Sequence, residues 1–174
     1  MSYNFGRLRV LVVDDNQHMR TLVSAILQAF GVATVLEAAS GEDAWKILAE
    51  NRCDLIFVDW VMDGMSGLDL SVKIRTAADS PNQFVPIVMI TGHTSPERVH
   101  AARDAGVNEF LAKPVSSKSI MARVISVIEN PRPFVRTKAY FGPCRRRRRM
   151  EHQGPERRHE ESLFESVHRS ADAA

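Results

Sequence analysis

No stretch of this 174-residue chain is apolar for long enough to span a bilayer, and no charged-then-apolar segment opens it in the manner of a signal peptide. Cysteine is scarce. There are two, Cys53 beside an apolar run and Cys144 in a polar one, which is too few for a disulfide framework and lacks metal-ligand spacing. No His or Cys cluster competes for a soft metal. The expectation from these absences is a cytoplasmic protein without a transmembrane segment. The last 44 residues, 131–174, are too poor in apolar side chains to build a core and carry no helix-turn-helix pattern.

What is present is an acidic domain followed by a basic tail. Residues 1–130 hold 12 Lys+Arg against 15 Asp+Glu, a charge of −3, and residues 131–174 hold 11 against 6, a charge of +5. The first part alternates short apolar runs with amphipathic stretches. Apolar runs at Leu8–Val13, Val32–Glu37, Asp54–Asp59, Val85–Thr91 and Val107–Ala112 read as strands. The Leu55-Ile56-Phe57-Val58 run has no alternation, which marks a strand buried on both faces. Helical spacing recurs over Asn16–Phe30, from Ser40 through Leu48, over Ser66–Thr76, from Ser95-Pro96-Glu97 to Gly106, and over Ser116–Glu129. Five strands alternating with five helices predict an α/β fold with one doubly wound parallel sheet.

The chemistry gathers at the strand ends. Asp14-Asp15 closes the first strand, Asp59 the third and Thr91 the fourth, and Lys113 follows the fifth. In a doubly wound sheet those ends converge on one edge. Taken singly, each has an ordinary alternative: a helix cap for the Asp pair, a turn residue for Asp59, a loop for Lys113-Pro114. Four such signals at strand ends in chain order favour a site. Three close carboxylates need a shared proton or a cation, and an all-oxygen donor set suits Mg2+. Asp59 is then the nucleophile for a phosphoryl group, with Mg2+ held by Asp15 and Asp59 and by Asp14 through a water. Lys113 pairs with one phosphoryl oxygen and the Thr91 hydroxyl donates to another.

The motifs Val12-Val13-Asp14-Asp15, Phe57-Val58-Asp59-Trp60, Ile90-Thr91-Gly92 and Phe110-Leu111-Ala112-Lys113-Pro114 resemble those of response-regulator receiver domains, in particular single-domain chemotaxis-type regulators. The resemblance covers residues 7–130. It implies a flavodoxin-like sheet of order 2-1-3-4-5 and a two-component phosphoacceptor rather than an enzyme. The implied phosphoryl donor is a sensor histidine kinase or a histidine phosphotransfer protein. It further implies that the main-chain carbonyl of Val61 is a metal ligand, that the Lys113-Pro114 bond is cis, and that Phe110 is a switch aromatic following Thr91. The responding face is the fourth helix, fifth strand and fifth helix, where an unidentified protein target would bind. Val61 and His93 occupy the positions that tune the phosphate lifetime. An alternative role is a phosphotransfer intermediate or phosphate sink without a regulated target.

Residues 131–174 match no output domain and are expected to be a flexible basic tail. The five arginines Arg145–Arg149 suit an acidic protein first, and nucleic acid or anionic lipid after it. On duplex DNA they would give a salt slope of about −4.5, with Tyr140 and Phe141 available to stack on bases. Glu160–His168 has a faint helical pattern.

Overall fold

The computed structural model describes residues 4–145. The chain runs β1 (Arg9–Val13), α1 (Gln17–Ala29), β2 (Thr34–Ala38), α2 (Gly41–Glu50), β3 (Leu55–Asp59), α3 (Gly67–Thr76), β4 (Ile87–Thr91), α4 (Pro96–Asp104), β5 (Glu109–Ala112) and α5 (Ser117–Glu129). The five strands form the one parallel sheet that their pattern predicts, in the order β2-β1-β3-β4-β5 that the family resemblance implies. The order reverses between β1 and β3, so the carboxyl ends of those two strands flank the switch point where open sheets bind ligands.

Burial explains the strand pattern. Every residue of β3 and β4 is buried, because helices cover both sheet faces. The two apolar layers are separate. One packs Leu11, Ile56, Val58, Ile87 and Met89 against α2 and α3. The other packs Val10, Val12, Phe57, Val88 and Ile90 against α1 and α5. The helices begin where the caps lie. Ser40 and Ser95 each accept the amide of the residue three on, and Ser66 forms a reciprocal capping box with Asp69.

The chain does not leave the domain after α5. It turns into a hairpin, β6 (Phe134–Arg136) paired antiparallel with β7 (Phe141–Pro143). The sequence reading places these residues in a flexible tail, and for 131–145 the structure corrects it. The hairpin needs no core of its own, because Phe134 and Phe141 pack on Phe84 from the loop before β4, with ring centroids 5.2 Å apart in both pairs. The Phe141 ring is thus committed to this cluster rather than left free for bases. Most of the arginine run, Arg146–Arg149, and the segment Glu160–His168 lie outside the described residues.

Candidate functional site

The acidic turn after β1 is fixed by its own neighbours. Asp14 is buried, and its Oδ1 accepts the amide of Asn16 at 2.8 Å. Asn16 in turn caps α1, its Oδ1 accepting the amides of His18 and Met19. One turn further on, Arg20 reaches back and donates to the carbonyls of Asp14 (2.7 Å) and Asp15 (3.3 Å). These contacts leave both carboxylates aimed at the end of β3. There Asp59, also buried, accepts the Val61 amide on Oδ2 at 3.2 Å. The β3–α3 loop is tied across to the first turn by the Asp63 amide, which donates to Asp15 at 3.3 Å. Gly67 opens α3 hard against this strand end: a Cβ at that position would overlap the carbonyl oxygen of Asp59.

One oxygen from each of Asp14, Asp15 and Asp59 lies within 4.8 Å of the others. Lys113 comes from the far side of the sheet edge, where the bond to Pro114 is cis. Its Nζ sits 2.7 Å from Asp59 Oδ1 and 3.6 Å from Asp14 Oδ2. Burial lowers the Lys113 pKa, but its hydrogen bond to Asp59 and the charges of Asp59 and Asp14 outweigh this, so it stays above the ordinary lysine value. Asp14 is pushed up, first by burial and then by the charges of Asp59 and Asp15, against the opposing Asn16 hydrogen bond and Lys113.

A single lysine does not satisfy three carboxylates. Asp14 Oδ2 is buried and accepts no hydrogen bond, which is costly for a charged oxygen. Carboxylate oxygens alone, one of them without a hydrogen bond and one exposed to water, fit a small hard cation that keeps part of its hydration.

The remaining expected residues are placed as follows. Thr91 ends β4 fully buried, but its hydroxyl donates to the carbonyl of His93 (2.9 Å) and accepts the His93 amide (3.1 Å). It therefore faces the β4–α4 loop, and no described hydrogen bond joins it to Asp59. His93 is an exposed residue of that loop. Phe110 is half-buried on β5 against the α2–α3 layer, and its carbonyl accepts a 2.6 Å bond from Arg123 on α5. The Val61 side chain is exposed.

Three contributors escape the sequence reading. Arg20 holds the acidic turn, Gly67 permits the approach of α3, and Arg98 of α4 lies over the ring of Trp60 at 5.1 Å. The first two have no local signature, because each acts on backbone brought close only by folding. The tryptophan next to Asp59 is a signal for the third, but its partner Arg98 lies on α4, far along the chain from the loop that carries Trp60.

Comparison with known proteins agrees with this geometry. The family model for the response regulator receiver domain matches residues 10–125. Over 122 residues the chain is 33% identical to chemotaxis protein CheY-3 of Vibrio cholerae, covering 70% of this chain and 92% of that protein. It is 36% identical to chemotaxis protein CheY1 of Helicobacter pylori, covering 70% and 97%. Among solved structures, CheY4 of Vibrio cholerae superposes with a TM-score of 0.65 at 32% identity, covering 69% of this chain and 98% of that one. The receiver domain of the histidine kinase CKI1 from Arabidopsis thaliana, solved complexed with Mg2+ and BeF3−, gives a TM-score of 0.61 at 29% identity, covering 70% and 91%. Among the described residues no helix is long and apolar enough to cross a membrane. With its sheet order, its acidic strand ends and these relatives, the chain belongs to the response-regulator receiver-domain family, as a member of the chemotaxis CheY type in two-component signalling.

Proposed function

We propose that Asp59 accepts a phosphoryl group from a histidine kinase or histidine phosphotransfer protein, and that the protein passes this event on as a change in partner binding. The observation that carries the reading is the buried Asp59 carboxylate held 2.7 Å from Lys113 and within 4.8 Å of two further carboxylates. A structural ion pair needs one carboxylate, not three.

Asp59 attacks the phosphorus of the phosphohistidine. The phosphorus–nitrogen bond breaks, its electron pair stays on the imidazole, and an acyl phosphate remains on Asp59. Asp14, Asp15, Asp59 and the main-chain carbonyl of Val61 would hold Mg2+, which when bound offsets the carboxylate charge and that of the transferring group. The Val61 amide, already 3.2 Å from Asp59 Oδ2, keeps the attacking carboxylate oriented. Lys113 moves from the carboxylate to a phosphoryl oxygen, a short step for a flexible stem. Thr91 exchanges its bond to the His93 carbonyl for one to the phosphoryl group. Its departure makes room for Phe110 to turn inward, which changes the face built from α4, β5 and α5. Val61 brings no polar side chain to orient a hydrolytic water, so slow loss of phosphate is the expectation. That the CKI1 receiver domain was solved complexed with Mg2+ and BeF3− supports, by likeness, binding of a cation and a phosphoryl-like group to this fold.

The test is incubation with Mg2+ and acetyl phosphate followed by intact mass. The wild type should gain one phosphoryl group, and the Asp59→Asn variant should not.

A further inference from the structure

Helix α4 is held by little apolar burial. Of its nine residues only Ala102 is buried. Side chains from elsewhere hold its two ends. Near the amino end, Arg98 lies over Trp60, the neighbour of Asp59. At the carboxyl end, Asp104 pairs with Arg145 at 3.2 Å. The next turn, at Gly106 with φ of +82°, is pressed against the hairpin: a Cβ on Gly142 would come within 2.9 Å of the Gly106 Cα.

The hairpin is firmly seated. Buried Arg75 on α3 has no carboxylate among its described contacts, and burial pushes its pKa down to about 9. It donates to the carbonyls of Gly106 (3.0 Å) and Gln83 (2.8 Å) and to Asn108 Oδ1 (3.1 Å), under the Phe134 ring at 5.0 Å. Tyr140 donates to the Pro143 carbonyl at 2.8 Å and supports the Arg145 guanidinium 4.2 Å from its ring centre. One small element therefore clasps α3, the loop before β4, the turn after α4 and the last residue of α4.

We infer that the hairpin with Arg145 is a strap that holds α4 in its unphosphorylated position, so that phosphorylation of Asp59 and closure of the strap oppose each other. The inference rests on the phosphoacceptor reading above. The closed strap coexists with Lys113 paired directly to Asp59 and with Thr91 turned to His93, the contacts that phosphorylation must break. A shift of α4 that follows Thr91 draws Asp104 from Arg145 or drives Gly106 into Gly142, and close-packed contacts of this kind have no slack. Coupling is reciprocal: whatever phosphorylation does to the strap, loosening the strap does to phosphoryl binding. Arg145 is also the first of five consecutive arginines, so opening the strap frees the root of that run from α4.

The experiment uses the full chain with Mg2+ and beryllofluoride. Affinity is read by tryptophan fluorescence, and the hairpin is followed by amide hydrogen exchange of residues 134–144. Asp104→Asn removes an exposed pair without touching the aromatic cluster, and Gly142→Ala presses a methyl on the Tyr140 hydroxyl and the Gly106 Cα together, loosening both the ring that supports Arg145 and the seat of the hairpin. Asp104→Asn should bind beryllofluoride about two- to five-fold tighter, the scale of one surface ion pair, and Gly142→Ala should move the same way. In the wild type, beryllofluoride should speed exchange at Thr137 and Cys144, whose amides are bonded to the Tyr140 and Pro133 carbonyls. If beryllofluoride binds but hairpin exchange and Asp104→Asn affinity are both unchanged, the hairpin is a static appendage and the inference is overturned. If the wild type binds no beryllofluoride, it is the phosphoacceptor reading that fails, and the strap falls with it.

Discussion

Replacing Asp14 by Asn should make the metal-free protein more stable, not less. Asp14 is buried and its Oδ2 accepts no hydrogen bond. At an effective dielectric of about 20, two carboxylate oxygens no more than 4.8 Å apart repel by at least about 3.5 kcal/mol, and the 3.6 Å Lys113 contact attracts by about 4.6 kcal/mol. These two nearly cancel. What remains is the burial of a charged oxygen that accepts no hydrogen bond, about 1–3 kcal/mol, with Asp15 adding to it. For a chain of this size that is a rise in Tm of about 2–12 °C. Asn keeps an oxygen for the Asn16 amide, so the turn is preserved. The pH dependence has a definite sign. The folded-state pKa of Asp14 lies above its ordinary 3.8, so the folded protein holds that proton more tightly than the unfolded chain does. The stabilisation from the protonated form is complete below 3.8 and is lost as pH rises through the folded value. The advantage of Asp14→Asn is therefore full at neutral pH and shrinks on acidification. Thermal melts in EDTA and in Mg2+ across pH 4–8 provide the assay. Saturating Mg2+ should raise the wild type by RT ln(1 + [L]/Kd), about 2.7 kcal/mol at a hundred-fold excess over Kd, and raise Asp14→Asn far less. A variant less stable than wild type in EDTA, or one that gains as much from Mg2+, would refute this account of the acidic turn.

Two further substitutions probe the same edge. Lys113→Met removes the cation that now occupies Asp59 and Asp14, so calorimetry should show Mg2+ bound about ten-fold tighter or more, the scale of a charge-assisted hydrogen bond; weaker binding would contradict it. Gly67→Ala places a methyl on the Asp59 carbonyl and should cost about 1–3 kcal/mol in urea unfolding, as overpacking does, while Gly31→Ala, far from the acidic edge, should leave Mg2+ affinity unchanged.

How far the sequence carried the structure depends on the range of the forces involved. The buried run Leu55–Asp59 and the cap Ser95-Pro96 declare themselves within a few residues, and so does the convergence of Asp14, Asp15, Asp59 and Lys113 once the strands are counted. Strand beginnings were less legible. The amides of Val32 and Val107 close the preceding helices by donating to Leu27 and Ala102, so β2 starts at Thr34 and β5 at Glu109 rather than two residues earlier. The orientation of Thr91 was hidden, because its partner is a main-chain carbonyl of a loop. The hairpin was missed because Phe134 and Phe141 look isolated in a polar stretch. Their apolar partner, Phe84, and the buried cation beneath them, Arg75, lie some fifty to sixty residues earlier. Composition sees too few apolar residues there for a core; it cannot see that the core is borrowed.

The central claim is that the Asp59 side chain forms an acyl phosphate. Treating the phosphorylated protein with borohydride reduces such a bond and leaves homoserine in place of the aspartate. Peptide mapping after phosphotransfer in Mg2+ should find homoserine at position 59 and nowhere else, with none in the absence of donor. Homoserine at Asp14 or Asp15, or at no position while a donor loses its phosphate to this protein, would contradict the account.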